Sequence, residues 1–215
     1  MMTFRPAPGG LSVLCLGAHP DDIEIGCGGL LLTLAHRPVT TVSAVVLSGT
    51  PERRAEAEAA LPSFVPGASV QVLDLPDGRM PGRWEDVKLA LQELASVHSP
   101  DLILAPRVDD AHQDHRLLGQ LAATSWRSAV VLHYEIPKWD ADLTPPTHYV
   151  PLSEEQARRK VALLHRGYPS QHGRDWWDEE LFLGVMRLRG VECRSRYAEA
   201  FHSHKVLLDL GPDES

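Results

Sequence analysis

Leu11-Ser12-Val13-Leu14-Cys15-Leu16-Gly17-Ala18 runs directly into His19-Pro20-Asp21-Asp22. The first eight residues are an apolar run with the length and composition of a buried β-strand. The next four place one imidazole and two carboxylates just past its end. Open α/β sheets bind their ligands there, outside the carboxyl ends of the strands. A second pairing has the same form. Asp101-Leu102-Ile103-Leu104-Ala105-Pro106 reads as a strand, and His112-Gln113-Asp114-His115 follows it.

Working outward, strand patterns at Leu11–Ala18, Thr41–Leu47, Ser69–Leu75, Asp101–Ala105 and Val130–Ile136 alternate with helical ones. The helical stretches are Ile23–His36, Pro51–Ala60, Trp84–Val97 and His115–Trp126. Thr50 supplies a capping hydroxyl and Pro51 the favoured first helical residue. Ser69–Leu75 alternates polar and apolar residues, which suits a strand nearer an edge. This order predicts an α/β, Rossmann-like fold: a doubly wound, mostly parallel sheet of about five or more strands flanked by helices. In the strand order 3-2-1-4-5, strands one and four are neighbours where the winding reverses, so the two His/Asp clusters converge.

The last third reads differently. Asp140–Pro151 is proline-rich and loop-like. Ser153-Glu154-Glu155-Gln156 is a capping box opening a helix to about His165. Asp178–Arg189 reads as a helix with Gly190 just past its end, and Tyr197–Leu208 as a final strand. Residues 1–215 are expected to form a single domain.

Two imidazoles and one carboxylate around an open position suit a catalytic zinc site. His19 and Asp22, three apart in a tight turn, can face one ion, and His115 is the third candidate ligand. Zinc lowers the pKa of its bound water to about 7. Asp21, beside a ligand, can point at that water as general base. His112 can stabilise the oxyanion or protonate the leaving amine, and Asp114 can hold an imidazole in orientation. Mixed N/O donors also accept Fe2+ or Co2+.

Other features have plainer readings. Gly26-Cys27-Gly28-Gly29 lacks G-x-G-x-x-G spacing and suits close helix packing better than a dinucleotide. Arg53, Arg54, Arg107 and Trp139 are candidate substrate-binding residues near the same rim. Asp109 and Asp110 read as loop and turn residues, His133 as a packed or hydrogen-bonded residue, and His202 and His204 as surface residues. Trp176 and Trp177 read as buried rings.

Composition sets bounds. A formal charge of −8 over 215 residues argues against a general nucleic-acid or anionic-membrane binder. No apolar stretch approaches the roughly 20 residues of a membrane span. The N-terminus lacks the order of a signal peptide. Three cysteines without paired spacing fit a reducing, cytoplasmic setting.

Ala18-His19-Pro20-Asp21-Asp22, Glu24 and Gly26-Cys27-Gly28-Gly29 together resemble the opening motif of the LmbE-like, or PIG-L, deacetylases. His112-Gln113-Asp114-His115 is similar to that family's second motif. Arg189–Glu192 and Tyr197–Phe201 are similar to its C-terminal region. The resemblance covers nearly the whole chain. It implies zinc-dependent removal of an N-acetyl group from an N-acetylglucosamine conjugate, with His19, Asp22 and His115 matching the metal ligands. Asp21 matches the base and His112 the oxyanion-stabilising histidine. Two departures stand out: Ile23 separates the aspartates from Glu24, and the loop after strand two is shorter than in the bacillithiol-pathway branch. The expected partner is a small amino-sugar conjugate, and a homo-oligomer is left open. Two alternatives remain: an amidase acting on a thiol-conjugate amide, and a non-enzymatic sugar- or nucleotide-binding protein.

Overall fold

The structure is a computed structural model describing residues 9–38 and 40–207. Among these residues, seven strands form one sheet in the order β3-β2-β1-β4-β5-β7-β6. The strands are β1 (Ser12–Gly17), β2 (Thr41–Val46), β3 (Ser69–Val72), β4 (Leu102–Pro106), β5 (Val130–Tyr134), β6 (His148–Leu152) and β7 (Tyr197–His202). The first five run parallel in the expected order, with β3 at one edge. β7 joins β5 antiparallel, and β6 pairs antiparallel on β7.

The helices are α1 (Asp22–Leu34), α2 (Pro51–Phe64), α3 (Trp84–Val97), α4 (Gln113–Ser125), α5 (Glu154–Gly167) and α6 (Glu179–Glu192). They cover both faces of the sheet. Successive β1 side chains alternate between faces, as strand geometry requires. Val13 and Cys15 join the core beneath α1, α2, α5 and α6, while Leu14 and Leu16 join Val87, Leu91 and Leu118 beneath α3 and α4. That two-sided burial explains the unbroken apolar run of β1.

Two expectations are corrected at the C-terminal end. The proline-rich stretch Asp140–Pro151 is not loop throughout, because β6 begins at His148. Proline lacks the N–H that a central strand would need, and β6 lies at the sheet edge, where Pro151 is tolerated. The final strand ends at His202, and Leu208 lies outside the described residues. The predicted capping box is present: the Ser153 hydroxyl accepts from the Gln156 N–H, and the Gln156 side chain accepts from the Ser153 N–H.

The glycines after β1 pack as the sequence suggested. A Cβ on Gly26 would lie 2.2 Å from Tyr134, and one on Gly29 would lie 2.4 Å from Leu152. α1 is broken near these glycines, with Cys27 at φ −137° and ψ 15°. The break frees backbone groups that buried side chains then satisfy. Glu199 accepts from the Gly29 and Leu30 N–H groups at 2.6 and 2.7 Å, and Lys160 donates to the Ile25 carbonyl at 2.6 Å. Lys160 and Glu199 also pair with each other at 2.7 Å. The first half of α1, which carries Asp22, is thus anchored from α5 and the second half from β7.

Candidate metal and catalytic site

β1 and β4 are adjacent, and the loops leaving their carboxyl ends meet where the sheet reverses its winding. Between β1 and α1 the chain turns within four residues, with Asp21 in the left-handed region at φ 98°. Such a backbone costs a non-glycine residue about 1–3 kcal/mol unless its surroundings impose it. Asp22 supplies part of that constraint. Its Oδ2 accepts from the Ala18 and His19 N–H groups at 2.9 and 2.8 Å, clamping the turn.

The other oxygen, Oδ1, lies 3.3 Å from Nε2 of His115 on α4. His115 Nε2 is 3.1 Å from His19 Nδ1, which lies 3.6 Å from Asp22 Oδ2. Zinc–nitrogen bonds of about 2.0–2.1 Å place tetrahedral donors about 3.3–3.4 Å apart. The two imidazole nitrogens, with Asp22 Oδ1 beside His115, give N/N/O donor chemistry that fits a divalent metal. One ring nitrogen from each of His19, His112 and His115 also lies within 4.8 Å of the others, as do donor atoms of His19, Asp77 and Asp114. However, His112 uses Nδ1 to accept the Asp114 N–H at 3.3 Å, as the N-cap of α4.

The remaining nitrogen of each inward imidazole meets carboxylates. His19 Nε2 is 3.0 Å from Asp77 Oδ1 and 3.3 Å from Asp114 Oδ2. His115 Nδ1 is 3.3 Å from Asp110 Oδ2. Such partners fix the ring orientation and tautomer of ligating histidines. Asp114 is itself held by the Gly78 and Met80 N–H groups at 2.7 and 3.0 Å. It is fully buried, so it positions His19.

The electrostatics favour a cation at the point where these donors converge. Burial opposes a charged His19, yet Asp22, Asp114 and Asp77 outweigh it and push its pKa up to about 12. Burial opposes charge on His115 too, but Asp22 and Asp110 raise its pKa. Asp22 is held below the usual carboxylate range by His115 and His19 despite its burial. His112 goes the other way: burial, then His115 and His19, lower its pKa. With Nδ1 accepting from the backbone, neutral His112 carries its proton on Nε2.

Asp21 lies beside this cluster. Its Oδ2 is 2.8 Å from Arg53 Nη2, and the same guanidinium donates to the Pro20 carbonyl. Burial raises Asp21 to about 6 against the opposing charge of Arg53. Arg53 is held in turn by Ser170 Oγ at 3.3 Å and Glu56 at 3.7 Å. A cavity of about 700 Å³ opens over these groups, lined by His19, Asp21, Asp22, Arg53, His112 and His115.

The four predicted substrate-binding residues separate. Arg53 and Trp139 line the cavity. Arg54 does not: it donates to the Val72 carbonyl and pairs with Asp74 at 2.5 Å, stitching α2 to β3. Nor does Arg107, which is 2% exposed and bonds to Asp109 and to the Asp142 carbonyl at 2.9 and 2.7 Å. Both are corrected to structural residues. Asp110 does serve the turn, accepting the His112 N–H at 2.8 Å, but it is also buried against His115, which the sequence reading did not expect. The sequence reading also missed Asp77. Pro76-Asp77-Gly78 signals a turn, and only the tertiary fold brings it to His19.

Fold and site together define a class: doubly wound α/β proteins with a histidine–carboxylate cluster at the switch point of the sheet. The chain belongs to the PIG-L family. The family model described as GlcNAc-PI de-N-acetylase matches residues 14–126, just over half of the sequence. The chain is 28% identical over 166 residues to the uncharacterized deacetylase YaiS of Escherichia coli K12, covering 72% of this chain and 89% of YaiS. It superposes on the N,N'-diacetylchitobiose deacetylase of Pyrococcus horikoshii with a TM-score of 0.71 at 23% identity, covering 90% of this chain and 83% of that one. It also superposes on GalB of Pseudomonas putida KT2440, a 4-carboxy-2-hydroxymuconate hydratase, with a TM-score of 0.75 at 21% identity, covering 94% and 100%. The fold alone therefore serves more than one reaction, and family membership identifies this chain as a deacetylase. No helix among the described residues is long and apolar enough to cross a membrane.

Proposed function

We propose that this deacetylase hydrolyses the N-acetyl amide of an N-acetylglucosamine conjugate, with a divalent metal, zinc by preference, held by His19, Asp22 and His115. The observation that carries this reading is the approach of His19 Nδ1 and His115 Nε2 to 3.1 Å, with the two oxygens of Asp22 at 3.6 and 3.3 Å from them respectively, open to a cavity and flanked by Asp21. A metal held there supplies Lewis acidity toward a carbonyl oxygen and toward water.

The residues of the chain divide the rest of the work. Asp21 accepts a proton from the attacking water as the new C–O bond forms. Arg53 holds that carboxylate in place and ionised. His112 Nε2–H donates to the acyl oxygen as it gains negative charge; a donor of this kind typically contributes about 3–4 kcal/mol. When the C–N bond breaks, the proton on Asp21 passes to the departing nitrogen, leaving acetate and a free amine. Trp139 offers a ring face to the group that the amino sugar carries. The whole chain acts as one catalytic domain on a small-molecule substrate.

Acetate release from a panel of N-acetylglucosamine conjugates tests this reading, with metal-free, zinc-loaded and Asp21→Asn proteins compared. Metal-dependent release that collapses in Asp21→Asn is expected. Release of a larger acyl group in place of acetate would favour the amidase reading. Unchanged ligand affinity in Asp21→Asn, with no turnover in any protein, would favour a binding protein.

A further inference from the structure

The cavity is larger than one amino sugar needs. Pockets of about 300–1,000 Å³ bury whole drug-sized ligands, and this one measures about 700 Å³. Beyond the groups already given chemical roles, its wall includes Trp139, Trp176, Gln171 and Arg174.

Trp139 is 60% exposed, yet it is fixed in place. Its Nε1 donates to Asp175 Oδ1 at 2.9 Å, and its ring meets Trp176 edge-on with centroids 5.9 Å apart. Trp176 rests in turn on Trp177 at 5.6 Å and Phe182 at 6.5 Å, and Trp177 is buried. Core packing therefore backs a ring that stays more than half exposed. Lys138, the residue before Trp139, reaches to 3.5 Å from His115 Nδ1, which ties the platform to the reacting end. Lys138 pairs with Asp110 and Asp140, and Arg53 pairs with Asp21. Arg174 is the cavity cation with no hydrogen bond or ion pair from its side chain among the described residues.

A pyranose matches this surface on both counts. Its C–H face stacks on an indole, while its hydroxyl rim meets guanidinium and amide donors. A plain aromatic group would stack equally well but give Arg174 and Gln171 nothing to bind. We propose that Trp139, backed by Trp176, and Arg174 form a second sugar subsite, which takes a pyranose linked to the acetylated amino sugar. This inference rests on reading the adjoining site as an amino-sugar deacetylase.

The test uses the β-methyl glycoside of N-acetylglucosamine, its β-phenyl glycoside and a β-1,4-linked disaccharide of N-acetylglucosamine. Two quantities are measured: kcat/KM for acetate release by metal-loaded protein, and Kd by calorimetry on Asp21→Asn. The disaccharide should exceed the methyl glycoside by about three- to tenfold, the range that one aromatic contact supplies. Trp139→Ala should erase that ratio and Trp139→Phe should keep most of it. Arg174→Ala should lower the ratio for the disaccharide and leave it unchanged for the phenyl glycoside.

A ratio that survives Trp139→Ala would overturn the subsite, as would acetate release from all three compounds at equal efficiency. An Arg174→Ala variant that changes neither ratio would overturn the assignment to a sugar. If no compound releases acetate but the disaccharide still binds more tightly through Trp139, the subsite stands and the deacetylase reading falls.

Discussion

Asp21 Oδ2 and Arg53 Nη2 lie 2.8 Å apart, joining the loop after β1 to the first turn of α2. The same guanidinium donates to the carbonyl of Pro20, so it holds both the side chain and the turn of a residue with a left-handed backbone. Arg53→Met should lower kcat by about ten- to a hundredfold, less than the loss expected on removing a general base outright. Arg53 opposes the burial that raises Asp21. Without it the Asp21 pKa rises further, so the acid limb of the pH–rate profile should move to higher pH than in wild type. Arg53→Lys should restore part of both effects, and an unmoved limb in Arg53→Met would mean that Arg53 does not act on the base.

Asp110 reaches His115 Nδ1 at 3.3 Å and also accepts the His112 N–H at 2.8 Å. One carboxylate thus orients the predicted ligand and the start of α4. Asp110→Asn should weaken metal binding by about 10–100-fold, the usual effect of losing a carboxylate behind a ligating histidine. Competition with a chromophoric chelator measures this directly, and wild-type affinity would assign Asp110 to capping alone.

Lys160 and Glu199 are both less than 5% exposed and fill the break in α1. Lys160→Met strands a buried carboxylate, which typically costs about 3–5 kcal/mol. For a chain of this size each kcal/mol moves the melting temperature by about 2–4 °C. Calorimetry should show a fall of about 6–20 °C, and a shift within 2 °C or so would refute the anchoring role.

Gly26 has no room for a side chain, since a Cβ would fall within 3 Å of three Tyr134 atoms. Tyr134 cannot easily yield, because it is fully buried and its hydroxyl donates to the Leu16 carbonyl at 2.7 Å. Gly26→Ala should therefore destabilise by about 1–3 kcal/mol, as overpacking does, although alanine is the better helix former. Chemical denaturation would reveal the opposite sign if propensity prevailed.

Much of this architecture was legible in the sequence. β1 and β4 are apolar runs too short for helices, and a His/Asp cluster lies in the loop beyond each. A parallel topology then forces the clusters together. Local chemistry also spoke plainly at Thr50-Pro51 and at the Ser153–Gln156 capping box. β6 was hidden because edge strands tolerate proline and lose the alternation that marks a half-buried strand. Asp77 and Asp110 were hidden for a different reason. Each is an ordinary turn residue in sequence, and its role comes from contact with an imidazole on another element. Arg54 and Arg107 misled by their nearness in sequence to the strand ends, since carbonyls and aspartates of the scaffold occupy their guanidinium groups.

The account turns on the donor set of His19, Asp22 and His115. The most direct measurement adds Zn2+ to metal-free protein and follows bound metal and acetate release in the same samples. Activity should rise linearly and level off at one ion per chain. His115→Ala and Asp22→Asn should lose both the binding and the activity. Full acetate release by metal-free protein, or stoichiometric binding that persists in those two variants, would contradict it.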